Sequence, residues 1–361
     1  MVVQASERRA THAVRTDGCL SCATLPAVEV RQGSLVITTQ SVDDRLLVAE
    51  VLEGSGLTPV HGRDGRLICP VPSPGLPSVA AALGERLPAE ILDTSLATIA
   101  DGRRDADGTE LPTLRALLRG VERGWLTEIL GQDRLVTHLQ PIVDIGAERD
   151  TTFAHECLTR GRTADGETIP PGRLFAAADR AALMFHLDRS ARLASIANAA
   201  RFDPTGRYFV NFTPTAIYNP AYCLQSTVAA VDAGGIDPGQ VTFEVIESVR
   251  MQDIWHLDKI FAVYRARGFT VALDDITGGP ISGKMIDSLR PDYVKLDRSL
   301  ISFVERIPDR QRVVVDVLRQ CRALGIEVIA EGIERPEERD WLASAGIRLM
   351  QGYLFARPFP A

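Results

Sequence analysis

From Arg134 onward, short apolar runs alternate with helical stretches, and this rhythm constrains the fold more than any other feature of the chain. The runs are LVTHLQPIVDI, YFVNF, VTFEVIES, FTVALDD, DYVKLD, EVIAEG and IRLMQGY. Each is strand-like in length and composition. Between them lie ARLASIANAA, WHLDKIFAVYRARG, RQRVVVDVLRQCRALG and RPEERDWLASAG, several of which close on glycine, a helix stop signal. Strand and helix alternating over roughly 220 residues imply a mainly parallel sheet. The length and the number of units predict an α/β fold of the (β/α)8, TIM-like barrel type rather than a doubly wound sheet.

The same oddity recurs at the strand ends. YFVN ends on Asn211, VTFEVIES carries Glu244 and Glu247, FTVALDD ends on Asp274 and Asp275, DYVKLD carries Lys295 and Asp297, and EVIAEG reaches Glu331. In a parallel barrel these ends converge on one face, where reacting groups sit. A single strand-end acid is an ordinary cap or rim salt bridge. Several on one rim repel unless a cation holds them together. Oxygen donors without histidine or cysteine suit a hard ion, Mg²⁺, Mn²⁺ or Ca²⁺, rather than zinc. A paired site of that kind fits phosphodiester cleavage, with a nearby lysine to neutralise developing charge.

Upstream the pattern is looser. At 361 residues the chain suggests two domains. We expect a flexible N-terminus over 1–20, a small α/β domain over 21–110 with a sensory or partner-binding role, a linker helix over 111–133 and the barrel over 134–361. SLVITTQ reads as a strand, DDRLLVAEVLEGSG as a helix closed by Gly54 and Gly56, and Leu57–Val60 and Arg66–Val71 as short strands. Residues 76–100 read as helices, and TLRALLRGVERGWLTEIL as an amphipathic helix. The net charge of −7, from 40 basic and 47 acidic residues, argues against a general nucleic-acid or membrane-surface binder. No apolar run reaches the roughly 18 residues of a membrane span, and no signal-peptide core is present, so a cytoplasmic protein is expected. Cys19 and Cys22 stand at C-x-x-C spacing, with Cys69, His12 and His61 as further ligands for zinc, or as a redox-responsive dithiol, or as two unlinked thiols.

These motifs together resemble the EAL family of cyclic di-GMP phosphodiesterases, from about Leu135 to Pro360. LQPIVDI is similar to the family's opening strand. HECLTR stands at its Glu-Ala-Leu signature, with Cys157 in place of alanine. VNFTP, FEVIES, VALDD, VKLDRSLI, AEGIE and QGYLFARPFP follow in the family's order. The resemblance implies that Glu156, Asn211, Glu244 and Asp274 hold one Mg²⁺ or Mn²⁺. Asp275 would serve a second ion and the attacking water. Lys295 would contact that water or the scissile phosphate, Glu331 would complete the cluster, and Gln351 would place the metal-bound water. Gln140, Arg160 and Pro358 would contact substrate, and Glu247 would brace the loop after the aspartates. It further implies hydrolysis to linear pGpG, and a homodimer.

The loop after Asp275 departs from the family's usual pattern. Ile276 stands for Phe, Thr277 for Gly, Pro280 for Tyr and Gly283 for Leu. That departure implies the alternative of a catalytically impaired domain that binds cyclic di-GMP or another protein without turnover. Cys157 reads as a small apolar filler beside the first ligand, with an oxidisable thiol as the other reading.

Overall fold

The computed structural model of the chain describes residues 25, 33–62, 64–72, 75–100, 111–146, 150–246 and 254–361. His12, Cys19, Cys22, Glu247 and the turn-rich stretch 101–110 therefore lie outside the described residues. Strands β1 (Ser34–Thr38), β2 (Val60–His61), β3 (Leu67–Pro70) and β4 (Leu96–Ala100) form an antiparallel sheet in the order β2-β3-β1-β4. Alternation puts Leu35 and Ile37 of β1 into a core with Val48, Leu52, Leu67 and Leu83. The helix Val42–Glu53 starts at Ser41, whose hydroxyl accepts the Asp44 N–H at 3.0 Å, and it stops at Gly54.

One expectation needs correcting. Residues 76–100 are not all helical: the helices Leu76–Arg86 and Ala89–Thr94 give way to β4. Pairing of β4 along the whole of β1, with Ala97 and Ile99 turned inward, overrides local helix preference.

The helix Leu114–Gly131 belongs to two cores at once. Leu114 and Leu118 pack into the N-terminal core, while Leu126, Ile129 and Leu130 pack with Leu174, Ala178 and Leu187 of the following domain. Between them Glu122, buried at 2% exposure, accepts Arg180 Nη2 at 2.6 Å and Nε at 2.8 Å.

The remaining strands are β5 (Leu135–Asp144), β6 (Thr151–Arg162), β7 (Thr168–Ile169), β8 (Tyr208–Asn211), β9 (Val241–Ile246), β10 (Thr270–Ile276), β11 (Tyr293–Leu296), β12 (Glu327–Ala330), β13 (Leu349–Met350) and β14 (Phe359–Pro360). β5, β13, β12, β11, β10, β9, β8 and β6 pair in that order, and β6 pairs back onto β5, closing an eight-stranded barrel. All neighbours run parallel except β5, which is antiparallel to both β6 and β13. β5 and β6 are joined as a hairpin, with no crossover helix to turn the chain round. β6, which carries HECLTR, is the barrel strand missing from the seven runs read by periodicity.

Inward-facing residues repeat every second position. Ala154, Phe209, Thr242, Ala272, Tyr293, Ile329 and Leu349 form a lower layer. Two positions further along the same chain stretches come Glu156, Asn211, Glu244, Asp274, Lys295, Glu331 and Gln351. On the reversed strand β5 the order flips, with Gln140 above Ile142. The barrel interior is therefore mostly apolar below, with Thr242 the polar member, and charged at one rim.

Candidate active site

Lys295 is the hub of that rim. Its side chain is fully buried, and Nζ lies 2.6 Å from Glu331 Oε1, 2.7 Å from Glu244 Oε2, 3.2 Å from Asp274 Oδ1 and 3.7 Å from Glu156 Oε1. Asn211 Nδ2 donates to Glu244 at 2.7 Å and to Glu156 at 3.2 Å. Gln351 Nε2 donates to the other Glu156 oxygen at 2.7 Å. Four carboxylates thus share one buried ammonium, with Glu156 and Glu331 reaching the edge of the rim.

The electrostatics follow. Burial pushes Glu244 and Glu331 well above the usual carboxylate range, and Asp274 above it, against the pull of Lys295. Burial also works against the charge on Glu156, yet Lys295 and the Gln351 and Asn211 hydrogen bonds hold its carboxyl below the ordinary value. Burial opposes the Lys295 ammonium too, but Asp274, Glu156, Glu244 and Glu331 hold it well above its usual value. Asp275, more open, is pushed up to about 6 by burial and by the charges of Asp274 and Asp297. The rim carries more acid than its one lysine can neutralise.

Two groups of carboxylates converge closely enough to hold an ion: Glu156, Glu244 and Asp274, and Asp274, Asp275 and Glu331, with donor atoms within 4.8 Å of one another in each. Asp274 belongs to both groups. The buried Gln351 amide oxygen has no hydrogen-bond partner in the described structure. An all-oxygen donor set with an orphaned acceptor fits Mg²⁺ or Mn²⁺. Among the described residues no histidine–cysteine group converges in this way. Cys69 is sealed in the N-terminal core and His61 sits exposed on β2, so neither arrangement points to zinc.

Beside the rim a cavity of about 200 Å³ is lined by the expected Gln140, Glu156, Glu331 and Gln351. Arg298, Gly332, Glu334, Gly352 and Tyr353 line it as well, and the sequence reading gave none of them a role. Their signal was present in the stretches VKLDRSLI, AEGIE and QGYLFARPFP, but a motif does not show which of its residues face a cavity. Gly332 has a reason: a Cβ there would meet Arg298 Cβ at 2.6 Å, so the glycine lets the arginine stem lie across it. Arg298 Nη2 then reaches Glu334 at 2.8 Å. Arg160, half-buried, donates to the carbonyl of Thr159 at 2.9 Å, and Pro358 is half-buried near the C-terminus; neither is part of the cavity lining.

The divergent loop is well anchored. The Asp275 N–H donates to Asp274 Oδ1 at 2.9 Å, with Asp275 itself in the left-handed region at φ 54°. Gly278, at φ 82°, leaves no room for a side chain because Val313 Cγ1 would lie 2.2 Å from its Cβ. Pro280 opens the helix Pro280–Leu289, where its missing N–H would have no intrahelical partner anyway. Gln320 Nε2 donates to the Gly283 carbonyl at 2.7 Å. Cys157 is 1% exposed, and burial holds its thiol well above its usual value, so it acts as filler rather than as a reactive thiol.

The EAL domain family model matches residues 123–358. Cyclic di-GMP phosphodiesterase PdeR of Escherichia coli strain K12 is 26% identical over 276 residues, covering 74% of this chain and 41% of that protein. An uncharacterized signaling protein of Caulobacter vibrioides is 28% identical over 259 residues, covering 72% of this chain and 31% of that protein. The chain spans about a third of the length of such curated relatives. Among solved structures, a standalone versatile EAL protein from Vibrio cholerae O395 in its c-di-GMP bound form is 30% identical, with a TM-score of 0.55 over 62% of this chain and 92% of that one. Klebsiella pneumoniae BlrP1, in a manganese/cy-diGMP complex, shares the fold at 23% identity and a TM-score of 0.55 over 91% of this chain and 96% of that one. No helix among the described residues is long and apolar enough to cross a membrane.

Proposed function

The chain belongs to the EAL-domain family, and from that premise we propose that it hydrolyses one phosphodiester bond of cyclic di-GMP, giving linear pGpG, in bacterial second-messenger signalling in the cytoplasm. The observation that carries this reading is the gathering of Glu156, Glu244, Asp274 and Glu331 around Lys295, with Asn211 and Gln351 completing the ring. The phosphodiesterase name of the E. coli relative and the cyclic di-GMP bound to the V. cholerae relative support the choice of substrate.

Glu156, Asn211, Glu244 and Asp274 would hold one Mg²⁺ or Mn²⁺, and Asp274, Asp275 and Glu331 a second. Bound ions there supply Lewis-acid neutralisation of the phosphate and a water of lowered pKa. The chain's own groups do the rest. Lys295 Nζ would donate to the water or the phosphate oxygen. Asp275 accepts a hydrogen bond from the attacking water and so aims it. Gln351 holds Glu156 in place. Gln140 and Arg160 orient the dinucleotide, Arg160 through a phosphate that its planar fork matches. Pro358 would contact the substrate at the same face, and Glu247 would brace the loop after the aspartates.

The alternative, a domain that binds cyclic di-GMP or a protein without turnover, draws on the divergent loop 276–283. The anchoring of that loop by Pro280, Gly278 and Gln320 weighs against a collapsed site. Turnover of cyclic di-GMP with Mg²⁺ or Mn²⁺, measured beside Glu156→Ala, decides between them. We expect pGpG from the unaltered protein and none from the variant; measurable binding without pGpG would favour the sensor reading. The N-terminal domain is proposed as a sensory or partner-binding module acting through the helix Leu114–Gly131, and the barrel as a homodimer-forming unit. Deleting residues 1–110 is expected to change kinetics or oligomeric state, and unchanged values for both would remove that role.

A further inference from the structure

Behind the rim lies a charge pair that the proposed chemistry does not use. Asp188 and Arg192, one turn apart on the helix Met184–Phe202, are 3% and 1% exposed and are joined by a salt bridge. Withdrawing two charges from water is unfavourable unless further hydrogen bonds complete the site. Asp188 makes one of consequence: its Oδ1 accepts the backbone N–H of Thr213 at 2.6 Å.

Thr213 stands two residues beyond Asn211, the last residue of β8. Phe212 still donates to the Glu244 carbonyl at 3.0 Å, but the ladder ends there, and Asp188 takes the next N–H. The turn is held from a second side by His256, whose Nε2 lies 3.3 Å from the Pro214 carbonyl. The backbone leaving Asn211 is thus fixed while its amide sits between Glu156 and Glu244.

We propose that Asp188 is a positioning residue for the Asn211 metal ligand, with the Arg192 salt bridge holding the carboxylate aimed at Thr213. The inference rests on the metal-binding reading of the rim. Groups that orient a metal ligand from behind typically change affinity 10–100-fold when removed.

Two paired substitutions separate positioning from packing. Asp188→Asn with Arg192→Met removes the charges but keeps an acceptor for the Thr213 N–H. Asp188→Leu with Arg192→Met removes the charges and the acceptor together. With Mn²⁺ as titrant in calorimetry, the Asn/Met form is expected to bind as the unaltered protein does, and the Leu/Met form about 10–100-fold more weakly at a similar melting temperature. Equal Mn²⁺ affinity in the two forms would overturn the proposal. An unaltered protein that binds no Mn²⁺ would instead overturn the metal reading beneath it. Hydrogen exchange on the unaltered, metal-free protein gives a test without substitution. The Thr213 amide is expected to be protected like those inside β8, and exchange at the rate of an exposed turn would equally overturn the proposal.

Discussion

The two ends of the barrel interior are built from the same strands, and yet they obey opposite rules. The lower layer, with Ile142, Ala154, Phe209, Ala272, Ile329 and Leu349, is apolar and closely packed. The rim two residues away is a buried knot of carboxylates about one lysine. One end contributes stability through burial; the other spends it to keep charges where a cation and a phosphate would sit. The period of two lets a single strand serve both, because each strand carries one residue into each layer.

The comparison breaks most readily at the rim. Lys295→Met is expected to lower kcat by about 10²–10³-fold and, in metal-free protein, to cost about 3–5 kcal/mol by leaving buried carboxylates uncompensated. Steady-state assays and denaturant melts measure the two effects, and a variant as active as the parent would remove Lys295 from the chemistry. Leu349→Ala, in the lower layer, should cost about 2–5 kcal/mol of stability while the folded fraction keeps its kcat. A loss of activity without a loss of stability would show that the layers are not separable.

pH distinguishes the ends next. The Asp275 carboxyl, pushed up to about 6 from 3.8, holds its proton more tightly in the folded state than in the unfolded one. The stability it contributes is full below about pH 4 and is lost as pH rises through about 6. Asp274, Glu244 and Glu331 shift the same way. The melting temperature in chelator should therefore fall from about pH 4 to about pH 7, and the gain on adding Mn²⁺ should grow over that range. A gain independent of pH would count against the rim as the cation site. The smallest expected effect is in the loop. Pro280→Ala should cost only about 0.4–1 kcal/mol, through unfolded-chain entropy, and leave kcat alone, as chemical denaturation and turnover would show.

Much of the polar rim was readable because Asn211, Asp274 and Glu331 end or follow apolar runs and so stand out from their own strands. β6 escaped the periodicity because HECLTR mixes charge into a strand whose neighbours are decided by the hairpin. β4 escaped because Leu96–Ala100 gains its identity from β1, more than fifty residues earlier in the chain. Asp188 could not be read at all: an aspartate in a helix says nothing about which distant N–H it will meet. Likewise Pro280, in a loop unlike the family's, reads as a disruption until the helix that it begins is seen.

The helix Leu114–Gly131 has one more consequence. Its first turns are core to one domain and its last turns core to the other, with the Glu122–Arg180 pair between them. A connector built into both interiors cannot act as a free hinge, since swinging would tear open apolar packing at each end. If the N-terminal domain is the sensory module proposed above, its signal would travel as a small slide or tilt of that helix in its bed, toward the helix Pro171–Ala181 beside it and so to β6, where Gly161 leaves Leu174 only 3.1 Å from where a Cβ would be.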